Sequence, residues 1–152
     1  MKIKIIAVGS IKDKYFKDAI NEYIKRLSKY IKVEIIEVKE TDDTKLNAKE
    51  VEGERILKQI KNNDFVVALT LNKKECTSEE FASWLDKTFV KANSEIIFLI
   101  GGSLGLSNAV IKRSNDCLTL SKLTFTHQMS RVILLEQIYR GFKIIHNERY
   151  HK

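Results

Sequence analysis

Ile96-Ile97-Phe98-Leu99-Ile100-Gly101-Gly102-Ser103-Leu104-Gly105 runs an apolar stretch of strand length straight into three glycines within five positions. Glycine tolerates φ > 0 and lets backbone N–H groups approach a ligand closely. In an open α/β sheet, ligands sit outside the carboxyl ends of the strands. The stretch therefore predicts a buried strand whose end opens a binding site, with the following segments as its other walls.

The rest of the chain builds outward from this strand. Residues 2–8 alternate and are β-rich, and Gly9-Ser10 breaks them. Residues 12–30 place Tyr15, Phe16, Ala19, Ile20, Tyr23, Ile24 and Leu27 at helical spacing. Residues 32–38 read as a second strand, 39–46 as a charged, exposed loop, and 47–61 as a helix carrying Val51, Ile56, Leu57 and Ile60. Phe65 to Leu69 form a compact apolar run, as expected of a parallel strand buried on both faces. Thr77-Ser78-Glu79-Glu80 is a capping box opening a helix to about Ala92. After the glycine turn come a short helix near 107–113, a strand at 117–120 and a long helix from His127 to Ile145. Strands and helices alternate throughout, which predicts an α/β fold: a mostly parallel sheet with helices on both faces. No linker or repeat divides the 152 residues, so a single domain, 1–152, is expected.

The last helix carries Met129, Val132, Ile133, Leu134, Leu135, Ile138, Tyr139, Phe142, Ile144 and Ile145 and is apolar nearly all round. For a closing element this predicts one side left for a partner surface, most simply a second copy of the chain.

Composition narrows the chemistry. No apolar run reaches the ~20 residues of a membrane span, and the start is too short and too regular for a secretory signal, so a cytoplasmic protein is expected. Cys76 and Cys117 stand apart without metal-ligand spacing, so no metal site is expected. The net charge of +7 suits a polyanionic partner and equally a well-solvated surface. The glycines read GGxxG and fall late in the chain, unlike the early GxGxxG of dinucleotide folds. No P-loop is present.

Two further segments hold reactive groups. Thr119 to Arg131 forms a polar loop into the last helix, where His127 and Arg131 lie four apart on one face. The terminal Arg149-Tyr150-His151-Lys152 packs basic, aromatic and titratable groups together.

Residues 100–106 (IGGSLGL), 120–131 (LSKLTFTHQMSR), 134–140 (LLEQIYR), the terminal YHK and the opening IAVGSIKDKY resemble the bacterial ribosomal RNA large subunit methyltransferase H family. The resemblance spans essentially the whole chain, in order. That family belongs to the SPOUT class of S-adenosylmethionine methyltransferases. The resemblance implies a C-terminal trefoil knot, an obligate homodimer, and N3-methylation of a pseudouridine in helix 69 of the large-subunit (23S) rRNA on assembled ribosomes. It implies a cofactor pocket made by Leu69, Gly101, Leu120, Ser121, Lys122, Leu123, Thr124 and Phe125. His127, Arg131, Tyr150 and His151 would face the RNA, with His151 as first and His127 as second candidate base; Arg131, Arg140 and Lys152 would contact phosphates. Three positions depart from the family pattern: Thr126 stands where proline is usual, Lys73 lies where glycine is usual nearby, and Asn147-Glu148-Arg149 replaces a tail that normally carries glycine. A paralogue that kept the fold and binds RNA without catalysis is the alternative function.

Overall fold

The structure is a computed structural model describing residues 1–152. Its elements run β1 (Lys2–Val8), α1 (Lys14–Leu27), β2 (Lys32–Val38), α2 (Ala48–Leu57), β3 (Phe65–Lys74), α3 (Ser78–Lys91), β4 (Glu95–Ile100), α4 (Asn108–Arg113), β5 (Asp116–Leu118) and α5 (His127–Ile145). The five strands form one sheet in the order β2-β1-β4-β3-β5, every pair parallel. The expected class is observed.

The apolar run of residues 96–100 becomes the central strand, buried at every position from Ile96 to Ile100. Period-two alternation divides its side chains between two cores. Ile96, Phe98 and Ile100 join Ile3, Ile5 and Val67 beneath α1, α3 and α5. Ile97 and Leu99 join Ile6, Val66 and Ala68 beneath α2 and α4. The capping box at Thr77 forms as read, with Thr77 and Glu80 each serving the other's backbone. No helix is long and apolar enough to cross a membrane.

α5 is covered further than its apolar pattern suggests, though Ile133 and Ile144 are only partly buried and belong to neither core. α5 is the middle helix of a three-helix layer, flanked by α1 and α3. Leu134, Leu135, Ile138 and Phe142 are buried, and among its large apolar residues only Met129 is strongly exposed. Most of its apolar surface is spent on the sheet below and a helix on each side. Phe142 shows how tightly: it stacks on Tyr30 at 5.5 Å and meets Phe89 at 6.0 Å, and is 1% exposed. Truncation of such a ring costs about 3–5 kcal/mol. Phe142→Ala is therefore expected to lower Tm by roughly 10 °C in thermal denaturation, and a shift under about 2 °C would contradict this packing.

β3 runs five residues beyond the apolar segment that predicted it. The ladder with β5 breaks after Leu69 and resumes at Lys74. Thr119 holds the excursion: its hydroxyl donates to Thr70 O (2.7 Å) and accepts from Lys73 N (2.9 Å). Asn72 takes the left-handed conformation, φ 57°. Asparagine tolerates that region better than other non-glycine residues, which removes the need for glycine beside Lys73.

Candidate active site

Because β4, β3 and β5 are neighbours, their carboxyl ends open side by side. They frame a cleft of about 830 Å³. One wall is the end of β3, with Leu69, Thr70 and Leu71. A second is the glycine turn, residues 100–106. The third is the loop into α5, where Leu120, Ser121, Leu123, Thr124, Phe125 and His127 line the space. Three segments distant in sequence thus meet as expected. Lys122 sits in the same loop but does not line the cleft. Lys49 of α2 and Asn108 of α4 do, and no sequence signal marked them.

The glycine turn is shaped by two different requirements. A Cβ at Gly101 would lie 2.6 Å from Gly105 C and 2.9 Å from Leu106 N. The turn folds back on Gly101, so the missing side chain makes room for the turn's own backbone rather than for a ligand group. Gly105 has φ +79° with nothing within 4 Å of a Cβ, so conformation rather than space demands glycine there. Its N–H donates to Gly102 O at 3.0 Å and closes the loop. The charged 39–46 loop is tied across the turn by Ser103, whose hydroxyl donates to Asp43. Beneath it Glu52 is 2% exposed and accepts from Thr41 N (2.8 Å); burial pushes its carboxyl above the ordinary range.

Thr126 caps α5, its hydroxyl accepting from Met129 N at 3.2 Å. Threonine therefore starts the helix without the proline of the family pattern. The cap sets His127 at the cleft, half-buried, with no hydrogen-bond partner on either ring nitrogen within the chain. Its Nε2 packs against Gly9, 3.3 Å from where a Cβ would stand.

Arg131 is placed differently from the expectation, and its assignment as a phosphate contact is corrected. It is 1% exposed. Nη2 donates to Gly9 O (2.7 Å) and Val8 O (3.3 Å), and Nη1 donates to Glu37 Oε2 (3.0 Å). A guanidinium closed off this way has no face for RNA. Its α5 turn points inward, beneath the end of β1.

The tail folds back on its own chain. Asn147 adopts φ 53° just past α5, and Glu148 N donates to Lys143 O at 2.8 Å, the left-handed termination usually given to glycine. The Tyr150 hydroxyl donates to Glu136 Oε1 (3.1 Å), and burial raises the titration of that phenol. Arg140 pairs with Glu136 and lies over the Tyr150 ring at 4.7 Å. His151 Nε2 donates to Glu79 Oε1 (2.7 Å), and its Nδ1 accepts from Arg140 Nη1 (3.3 Å). Arginine can only donate, so this network selects the Nε2–H tautomer and occupies both ring nitrogens. Arg140, Tyr150, His151 and Lys152 do not line the cleft. Lys152 is exposed.

Glu148 fastens this tail. It accepts from Lys143 Nζ (2.6 Å), the Tyr30 hydroxyl (2.7 Å) and Lys29 Nζ (3.3 Å). The Lys143 bond, then that of Tyr30, holds its carboxyl down at about 2. A carboxylate lowered on folding contributes above its ordinary pKa and loses that contribution as pH falls through the folded value. Tail docking is thus expected to persist through neutral pH and weaken below about pH 4, toward 2. Glu148→Gln should release residues 147–152 at neutral pH, seen as narrowed amide NMR lines; an unchanged spectrum would contradict the clasp.

No group of three or more His, Cys, Asp or Glu is placed to hold a metal ion. A family model described as predicted SPOUT methyltransferase matches residues 1–151, and the chain belongs to that family. It is 52% identical to ribosomal RNA large subunit methyltransferase H of Clostridium beijerinckii over the whole of both chains. It is 47% identical to the protein of that name from Enterococcus faecalis, again over both full lengths. Among solved structures, a putative methyltransferase from Legionella pneumophila in complex with bound SAM is 10% identical, at TM-score 0.48, covering 93% of this chain and 66% of that one.

Proposed function

We propose that the chain is an S-adenosylmethionine-dependent methyltransferase acting on large-subunit ribosomal RNA, and that it methylates N3 of a pseudouridine in helix 69 on assembled ribosomes. Residues 1–152 serve as one catalytic domain, knotted at its C-terminal end, in a homodimer working in the cytoplasm beside its substrate. The observation that carries the reading is the convergence of Leu69, Gly101, Leu120, Ser121 and residues 123–125 on one cleft in a chain of this family.

The cleft fits the cofactor. Its volume lies in the ~300–1,000 Å³ range of small-molecule sites. Leu69, Leu71, Leu104 and Phe125 offer apolar surface to a purine, and Ser121 and Thr124 offer hydroxyls. When bound, the cofactor supplies a methyl group already activated on a positive sulfur. The protein's task is then alignment, which contributes up to ~7–11 kcal/mol in favourable cases, and removal of the N3 proton. His127 is the cleft residue with free ring nitrogens, and we assign it to hold that proton. His151 serves as base only if the tail leaves Glu79 or arrives from a partner protomer. Arg140, Tyr150 and Lys152 are assigned to the RNA side through the tail.

The test is methyl transfer from labelled S-adenosylmethionine to intact ribosomes, free subunits and naked rRNA from a strain lacking such an enzyme. Label at one N3-methylpseudouridine of intact ribosomes is expected. Cofactor binding without transfer to any of the three would mark a non-catalytic RNA-binding module instead.

A further inference from the structure

We propose that Arg131 is a positioning residue for methyl transfer: from beneath the cleft it holds the Val8–Gly9 turn against the His127 ring and so fixes where that ring stands. The inference rests on the reading of the cleft as a methyltransferase site. It assigns Arg131 no contact with RNA or cofactor.

Arg131 reaches three acceptors on two elements, Gly9 O, Val8 O and Glu37 Oε2. The same Glu37 oxygen accepts from Ile11 N at 3.1 Å, so one carboxylate and one guanidinium grip the turn from both sides. Gly9 N donates to Val38 O at 2.9 Å and completes the grip. The turn so held is the surface on which His127 rests, and Gly9, at φ +85°, brings its bare Cα against Nε2. His127 lies one helical turn before Arg131, so both residues work on the same few backbone atoms from the same face of α5.

A stabilising role alone explains this arrangement poorly. Arg131 Nε is buried with no partner, and Glu37, its only counter-charge, is 43% exposed. A buried ion pair with an unsatisfied donor is a weak device for stability. A planar fork that engages two carbonyls and a carboxylate in fixed directions is a strong device for geometry, and lysine, a point charge, does not reproduce it.

Two variants approach the contact from opposite sides. Arg131→Lys loosens the grip, while Gly9→Ala keeps the Arg131 side chain, pushes a Cβ toward Nε2 and strains the turn at φ +85°. Both are expected to lower kcat by roughly 10–100-fold, as sub-ångström misplacement does, with little change in KM for ribosomes. Cofactor Kd should stay within about twofold, and the salt dependence of ribosome binding should not change. In a His127→Ala background neither variant should lower kcat further. The proposal is overturned if Arg131→Lys reduces the salt slope by about one charge while kcat holds, which marks a phosphate contact. It is also overturned if kcat and cofactor affinity fall together in step with Tm, or if the losses persist in full without His127. Should the wild-type protein transfer no methyl group, the functional reading fails. The positioning itself is then decided by NMR: the His127 ring resonances shift in both variants, or their constancy refutes it.

Discussion

Replacing Gly101 by alanine is expected to weaken S-adenosylmethionine binding by roughly 100-fold, about 2.7 kcal/mol. The added Cβ would stand 2.6 Å from one backbone carbon of the turn and 2.7 Å from its carbonyl oxygen. The three nearest atoms all belong to the main chain of Gly105 and Leu106, so no flexible side-chain end relieves these contacts. The turn must open, and the wall it forms must leave the cleft. Gly105→Ala is a useful contrast: it meets nothing within 4 Å and is penalised only through φ +79°, so a smaller loss is expected. Calorimetric titration with S-adenosylmethionine measures both. A Gly101→Ala protein that binds within twofold of wild type would refute the turn's role.

Replacing His127 by alanine is expected to lower kcat by ~10²–10⁴-fold, the range of a lost general base. Cofactor affinity should hold, because the loop of residues 120–125 keeps its own hydrogen bonds, including Leu123 N to Ser121 Oγ at 3.0 Å. Tm should hold as well, since the ring makes no hydrogen bond within the chain and α5 is capped by Thr126. Single-turnover methyl transfer on ribosomes reads the chemical step. Retained single-turnover rates would remove His127 from the reaction. A larger loss in His151→Ala would move the base to the tail and require the tail to leave its bonds to Glu79 and Arg140.

Much of the architecture was legible because it is periodic. The runs at 2–8, 32–38 and 96–100 alternate or are wholly apolar, and they form strands at nearly those bounds. The Thr77 capping box and the His127 start of α5 were readable because a cap is local chemistry. Long-range polar bonds were not readable. β3 extends to Lys74 because Thr119, nearly fifty residues on, satisfies Thr70 and Lys73. The all-round apolar pattern of α5 does not say what covers it; here its own α1 and α3 cover most of it, leaving Ile133 and Ile144 partly exposed.

The site divides in the same way. Leu69, Gly101 and most of residues 120–125 lay on strand ends and a glycine turn, where the rule for parallel sheets directs attention. Arg131 looked like a phosphate contact because it closes the polar 119–131 segment and a guanidinium can fork onto phosphate. Its acceptors, Val8 O and Gly9 O, lie more than a hundred residues away, and only folding brings them beneath α5. The docking of the tail on its own chain was not legible, because its anchor, Glu148, reads as one more charge until Lys143, Tyr30 and Lys29 surround it.

The most direct test is a crystal structure of the protein with S-adenosylhomocysteine bound. The adenosine is expected between Leu69, the 100–106 turn and the 120–125 loop, with the sulfur turned toward His127. A ligand seated elsewhere on the chain, or no binding at saturating concentration, would contradict the account.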